Sequence, residues 1–291
     1  MGPRSAVMLA MGVPLLVCVA GAVTAQPPAA IVSGAQGRAI VARADRTFAP
    51  ARAGTPLRVG DQVRLAPGAQ VTVVFPDRPR ATWGGGSGGA AFLVKPVSPP
   101  KDNVWGRIWR FVLSRLSPRR VASEPAATRG GTCLGGLEPS DSKERHRPVA
   151  FSWGAAPGAT SEVQVLDADG NTLWKTEKLT SGRVEYPAEA PGLKPGVRYY
   201  WRVTVACRDD KETSPLVWFE LLTEQQRARV EADLARLAAG AGQLPEAEKH
   251  LYRSALLGSF GLAAESRQEL ALARAAGTDR SLDTLIKVLG Q

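Results

Sequence analysis

The chain has 291 residues, 44% of them hydrophobic, which suits two or three small packed modules and excludes both a lone miniature domain and wholesale disorder. Its net charge of +10 is uneven, because residues 1 to 130 hold 17 Lys and Arg against 5 Asp and Glu. A basic front half points to an anionic partner; beyond the leader there are two histidines and two cysteines suited to a disulfide, no two of them at ligand spacing, so no zinc site and no other metal or cofactor is expected.

At the N-terminus, Arg4 precedes an almost wholly apolar run over residues 6–23, and Val23-Thr24-Ala25 ends in the small residue that signal peptidase favours. This pattern predicts a signal peptide over 1–25, cleaved after Ala25, and a periplasmic or secreted product. The alternative is an uncleaved inner-membrane anchor, since the run approaches the roughly 20 residues that span a bilayer. Export argues against nucleic acid as a partner. It also leaves Cys133 and Cys207 in an oxidising compartment, where a structural disulfide between them would persist, unless the two thiols lie too far apart to meet.

Residues 26–97 alternate short apolar runs with Gly, Pro and Asp, as in Gln62-Val63-Arg64-Leu65 and Gln70-Val71-Thr72-Val73-Val74-Phe75, which predicts a small all-β unit. Gly60-Asp61 between two such runs is turn chemistry: glycine tolerates positive φ and the Asp side chain bonds the local backbone. The segments Gly54-Thr55-Pro56-Leu57-Arg58-Val59-Gly60-Asp61-Gln62-Val63 and Gly68-Ala69-Gln70-Val71-Thr72-Val73-Val74-Phe75-Pro76-Asp77 resemble the FecR-like domain of bacterial envelope proteins. The resemblance implies a module that binds or presents rather than catalyses. Arg78-Pro79-Arg80 departs from that family's pattern, where a glycine is expected after Asp77.

Next, Gly84-Gly85-Gly86-Ser87-Gly88-Gly89 satisfies both the Gly-x-Ser-x-Gly elbow and the Gly-x-Gly-x-x-Gly phosphate loop. Either motif must open a helix, and the residues that follow run into Pro96, so a plain loop is expected.

Residues 98–136 form a basic linker rich in Pro and Arg, in which Trp105, Ile108, Trp109, Val112, Leu113 and Leu116 recur at helical spacing. A helix over about 102–117 is predicted, capped by Asp102 or Asn103 and stopped by Pro118. Trp105 and Trp109 together with Arg107, Arg110, Arg115, Arg119 and Arg120 form the candidate surface for a protein partner or a membrane. The other reading is a linker helix whose stripe packs on the protein's own sheets.

Residues 137–223 carry strand patterns around Phe151-Ser152-Trp153, a hairpin at Asp169-Gly170-Asn171, a Leu193-Lys194-Pro195-Gly196 corner and the strand Tyr199-Tyr200-Trp201-Arg202-Val203. This order resembles a fibronectin type III or immunoglobulin-like sandwich, which implies that Trp153 and Trp201 pack between sheets. From residue 224 the composition turns to strong helix formers, predicting helices over about 224–239, 245–259, 262–276 and 281–289. The stretch around Ser254-Ala255-Leu256-Leu257-Gly258 resembles a tetratricopeptide-type helical hairpin.

The expected fold is therefore mainly β with a C-terminal α segment: a FecR-like β domain, a linker, a sandwich and a helical tail over 224–291. The expected function is a non-enzymatic exported scaffold that binds an envelope protein, an anionic polymer or a lipid surface, with peripheral membrane contact possible through the linker. The alternatives are an anchored FecR-like signalling regulator, and a polysaccharide- or peptidoglycan-binding protein using Trp83, Trp105 or Trp109.

Overall fold

In the computed structural model, residues 28–76, 80–96, 103–116, 133–207, 210–277, 286–287 and 289–290 are described. The first eight strands are β1 (Ala30–Gln36), β2 (Ala39–Ala42), β3 (Phe48–Pro50), β4 (Pro56–Leu57), β5 (Gln62–Leu65), β6 (Gln70–Val74), β7 (Ala81–Gly84) and β8 (Ala90–Leu93). They form two four-stranded antiparallel sheets, ordered β4-β1-β6-β7 and β3-β2-β5-β8. Alternate residues point inward, so Val32, Val41, Leu57, Val63, Val71 and Val73 share one core. The turn read from Gly60-Asp61 is present: Gly60 has φ +88°, and Asp61 Oδ2 accepts the Arg58 N–H at 2.8 Å.

The linker helix α1 (Val104–Leu116) is capped by Asn103, whose Oδ1 accepts the Gly106 N–H at 2.9 Å. Asp102, the other expected cap, and Pro118, the expected stop, lie outside the described residues.

The second β unit contains β9 (Leu134–Glu138), β10 (Ser142–Glu144), β11 (Ala150–Ala155), β12 (Thr160–Leu166), β13 (Thr172–Lys175), β14 (Arg183–Glu185), β15 (Arg198–Cys207), β16 (Asp210–Thr213) and β17 (Val217–Leu221). One sheet runs β10-β17-β15-β12-β13 with β16 also on β15, and the other runs β14-β11-β9. Between them Phe151 meets Trp201 at 4.9 Å and Phe219 edge-on at 5.4 Å between ring centroids. Trp153 and Trp201 are buried as expected, and each indole N–H is satisfied, by Ser161 Oγ at 2.9 Å and by the Pro139 carbonyl at 2.7 Å. The expected hairpin is built on Asp167, whose Oδ1 accepts the N–H groups of Asp169 and Asn171, with Gly170 at φ +86°.

Three C-terminal helices follow: α2 (Glu224–Gly240), α3 (Glu246–Ser259) and α4 (Ala263–Ala275). Thr223 starts α2 with a full capping box to Gln226. Of the fourth expected helix, residues 286, 287 and 289 are described, and Ile286 and Leu289 are buried against the other helices. The fold is thus mainly β-sheet with a C-terminal helical segment.

Cys133, just ahead of β9, is joined by a disulfide to Cys207 at the end of β15, 74 residues on. The bond ties the two sheets of the sandwich together. In the chain-entropy picture, closing a loop of that size stabilises by about 4 kcal/mol. Replacing both cysteines by serine is expected to lower the sandwich's stability by about 2–4 kcal/mol, measured by urea unfolding with and without a reductant; equal midpoints for the two proteins under oxidising conditions would contradict this.

Candidate functional site

The linker helix reaches the helical segment with its apolar stripe. Val104, Ile108, Trp109 and Val112 are buried with Leu251, Tyr252, Ala255 and Leu256 of α3, and with Ile31 and Val74 of the first β unit. Trp109 is 3% exposed, and Trp105 is half-buried edge-on to Tyr252 at 5.3 Å. The aromatic half of the expected partner surface therefore faces inward. The stripe does pack on the same chain, but mainly on helices and only partly on a sheet. The reason is complementarity: α3 offers an apolar face of its own, and two such stripes bury each other.

Two of the five arginines of that expected surface are also engaged. Arg107 Nε lies 3.3 Å from Asp233 Oδ2, and its guanidinium stands 4.7 Å over the Phe260 ring. Arg115 stands 5.1 Å over Phe111. Arg110 is exposed, while Arg119 and Arg120 lie outside the described residues. Trp83 stacks on Phe92 at 5.0 Å and 11° as part of the first core, so it offers no free ring face there.

The Gly84-to-Gly89 segment is held against residues 65–69. Gly85 N–H donates to the Ala69 carbonyl and Gly68 N–H to the Gly86 carbonyl, each at 2.8 Å. A Cβ on Gly85 would meet the Ala66 carbonyl oxygen at 2.3 Å, so the glycine is required by close backbone approach. No helix follows, and the segment links β7 to β8.

Two joints hold the helices to the β units. At the first, Arg80 Nη2 pairs with the buried Glu248 at 2.6 Å, and the Arg80 N–H donates to Tyr252 Oη at 3.3 Å. Burial, reinforced by Glu248, pushes the Tyr252 phenol up to about 12. At the second, the Lys143 N–H donates to the Gly261 carbonyl at 2.9 Å, and Ser142 Oγ accepts the Ala263 N–H at 3.2 Å. Arg145 bridges Glu231 of α2, at 2.7 Å, and Glu265 of α4, and Arg267 reaches back to Glu138 at 3.0 Å.

Glu144 sits in this second joint with Oε1 buried and without a hydrogen-bond partner. Its carboxyl is raised to about 7, chiefly by burial and also by Glu265 and Glu138, against the lowering influence of Ser142 and Arg267.

A cleft of about 720 Å³ opens on the second β unit between Pro148, Tyr186, Pro187 and Leu193, with Arg147 and Glu189 at its rim. Arg147 Nη2 donates to the Leu193 carbonyl at 3.3 Å and Tyr186 Oη to the Pro191 carbonyl at 2.7 Å, which fixes two of its walls. Sequence reasoning did not find it, because its lining comes from loops with no periodic signal. Among the described residues no three His, Cys, Asp or Glu side chains gather as a metal site would require.

With this geometry in place, comparison with known proteins gives one family. Residues 149–222 match the model for the Rha78A-like, N-terminal immunoglobulin domain. The sandwich is immunoglobulin-like. No curated protein matches the chain. Among solved structures, dimeric latent PorU from Porphyromonas gingivalis is similar at 13% identity over 64% of this chain and 16% of that one, with a TM-score of 0.24. The BSP domain of a biofilm associated protein is 12% identical over 64% and 25%, with a TM-score of 0.21. A β-1,2-glucanase from Parabacteroides distasonis is 11% identical over 86% and 39%, with a TM-score of 0.25. The chain spans less than two fifths of the length of each, and likenesses this distant carry no functional argument.

The Glu144 environment has a pH signature. A carboxyl at about 7 in the fold and near 4.5 when unfolded favours the folded state fully below about pH 4.5, and that contribution is lost as pH rises through 7. Glu144→Gln is expected to remove this loss, raising stability at pH 8 by about 1–2 kcal/mol relative to wild type while leaving pH 4.5 little changed. Thermal unfolding of both proteins between pH 4.5 and 8 checks it, and parallel profiles would contradict it.

Proposed function

We propose that this chain is an exported, non-catalytic scaffold of the bacterial cell envelope, in which the helices hold two β units in a fixed relation so that their outer surfaces meet partners. The observation that carries the reading is the shared core of α1, α3 and the first sheet, joined through the second joint to the immunoglobulin-like unit. A clamp of this kind positions surfaces; it does not assemble a nucleophile, a base and an oxyanion donor around a reacting atom.

Export is supported by the leader pattern at 1–25 and by the Cys133–Cys207 disulfide, which suits an oxidising compartment. Among the described residues no helix is long and apolar enough to cross a membrane. The FecR-like reading of the first β unit rests on its Gly60-Asp61 turn and flanking strands alone, since the matched family model covers residues 149–222. The basic front half favours an anionic envelope component as one of the partners.

Fractionation of the expressing bacterium, with intact mass measured on the recovered protein, tests the reading. A mass beginning at Gln26, two hydrogens below the reduced value, from the periplasmic or extracellular fraction is the expected result. Recovery of a chain retaining Met1 from the inner membrane would favour the anchored signalling regulator instead, and a reduced chain from the cytoplasm would overturn export altogether.

A further inference from the structure

The outward face of the β3-β2-β5-β8 sheet ends in the row Phe48, Ala42, Gln62 and Leu93. Phe48 is 63% exposed and Leu93 58%, the two highest values for large apolar side chains among the described residues. Beside this row the turn that precedes β5 carries Val59, also exposed, and is tied to the end of β8 by the Gly60 N–H to Val94 carbonyl bond of 2.9 Å. Three apolar side chains thus project from one end of the first β unit, with nothing described covering them.

Cations surround them. Arg46 lies in the β2–β3 turn, Arg58 in the Val59 turn and Lys95 just beyond β8; all three are exposed, and none forms a side-chain ion pair among the described residues. Arg64, on the same face, places its guanidinium 6.0 Å from the Phe48 ring centroid. The two nearby acids are engaged: Asp45 accepts from the N–H and Oγ–H of Thr47, and Asp61, 2% exposed, accepts from the Arg58 N–H and lies 3.6 Å from Arg43. Opposite Leu57, Ala30 begins β1, so the chain enters the fold beside Arg58 and Val59, a few residues after the apolar run at 6–23.

We propose that this end of the first β unit docks on an anionic phospholipid membrane. Projecting Phe, Leu and Val side chains ringed by Arg and Lys are the chemistry of an interfacial anchor: the apolar groups enter the headgroup–acyl boundary and the cations meet lipid phosphates. A soluble polyanion would use the cations but gain nothing from Phe48 and Leu93. A second copy of the same face would set cation against cation. The proposal deepens the scaffold reading by naming one partner, and depends on export only for which membrane is met.

Sedimentation of the chain from Gln26 onward, which keeps every described residue, with phosphatidylglycerol–phosphatidylcholine vesicles or with pure phosphatidylcholine vesicles tests it without reference to cellular location. Partition at least tenfold stronger onto the anionic vesicles is expected. Phe48→Ser with Leu93→Ser should cut it about tenfold at unchanged melting temperature, and Arg46→Ser or Lys95→Ser about fivefold each. Leu272→Ser, an exposed site on α4, should bind as wild type. Failure to bind anionic vesicles, or binding indifferent to the Phe48/Leu93 pair, would overturn the proposal. So would a dimer abolished by that pair, or capture by soluble wall polymer alone, since either would give the face to another occupant. None of these outcomes bears on whether the chain is exported.

Discussion

The buried contact between α1 and α3 is the constraint on which the arrangement of the whole chain depends. A linker between two β units ordinarily leaves them free to move. Here the linker folds as a helix whose stripe of Val104, Ile108, Trp109 and Val112 finds its apolar counterpart beyond the second unit, on α3, and shares that core with Ile31 and Val74 of the first. The C-terminal helices thereby become part of the first unit's surface. Exposing such a stripe would forfeit roughly 1.5–3 kcal/mol for each large side chain returned to water.

The two joints differ in kind. The first is mainly apolar, with one buried ion pair, Arg80–Glu248, set beside Tyr252. Desolvation offsets much of such a pair's attraction, so its net stabilisation is small, whereas removing one partner would leave the other charge buried and unpaired. The joint to the immunoglobulin-like unit relies more on polar contacts: backbone bonds from β10, the Arg145 bridge to α2 and α4, and the crowded carboxylate of Glu144. Leu222 with Val230, Leu257 and Leu262 supplies its small apolar centre.

Much of this was legible in the sequence where local chemistry decides the outcome. The Gly60-Asp61 turn, the Asp167 hairpin, the buried Trp153 and Trp201, and α2 to α4 all follow from turn residues, alternation or helix formers. The short strands β9, β10, β14 and β16 were not foreseen. In β10 the sequence Ser142-Lys143-Glu144 has no apolar alternation, because the strand pairs in parallel with β17 at a sheet edge, with Ser142 serving the helical joint and Lys143 pairing with Glu220 of β17. The stripe on α1 was equally plain, but its partner was not: amphipathic spacing reports that a face is buried, never what buries it. The Phe48 and Leu93 row was hidden for a similar reason, since only strand register brings residues from opposite edges of a sheet onto one face.

Hydrogen exchange of the α1 amides, followed by mass spectrometry on the intact folded chain, measures the clamp most directly. If α1 is part of the shared core, residues 108–113 are protected to the same order as residues 251–257 of α3. Exchange of α1 within seconds while α3 remains protected would mean that the linker helix lies free of the helical segment, and that the two β units are not held in a fixed relation.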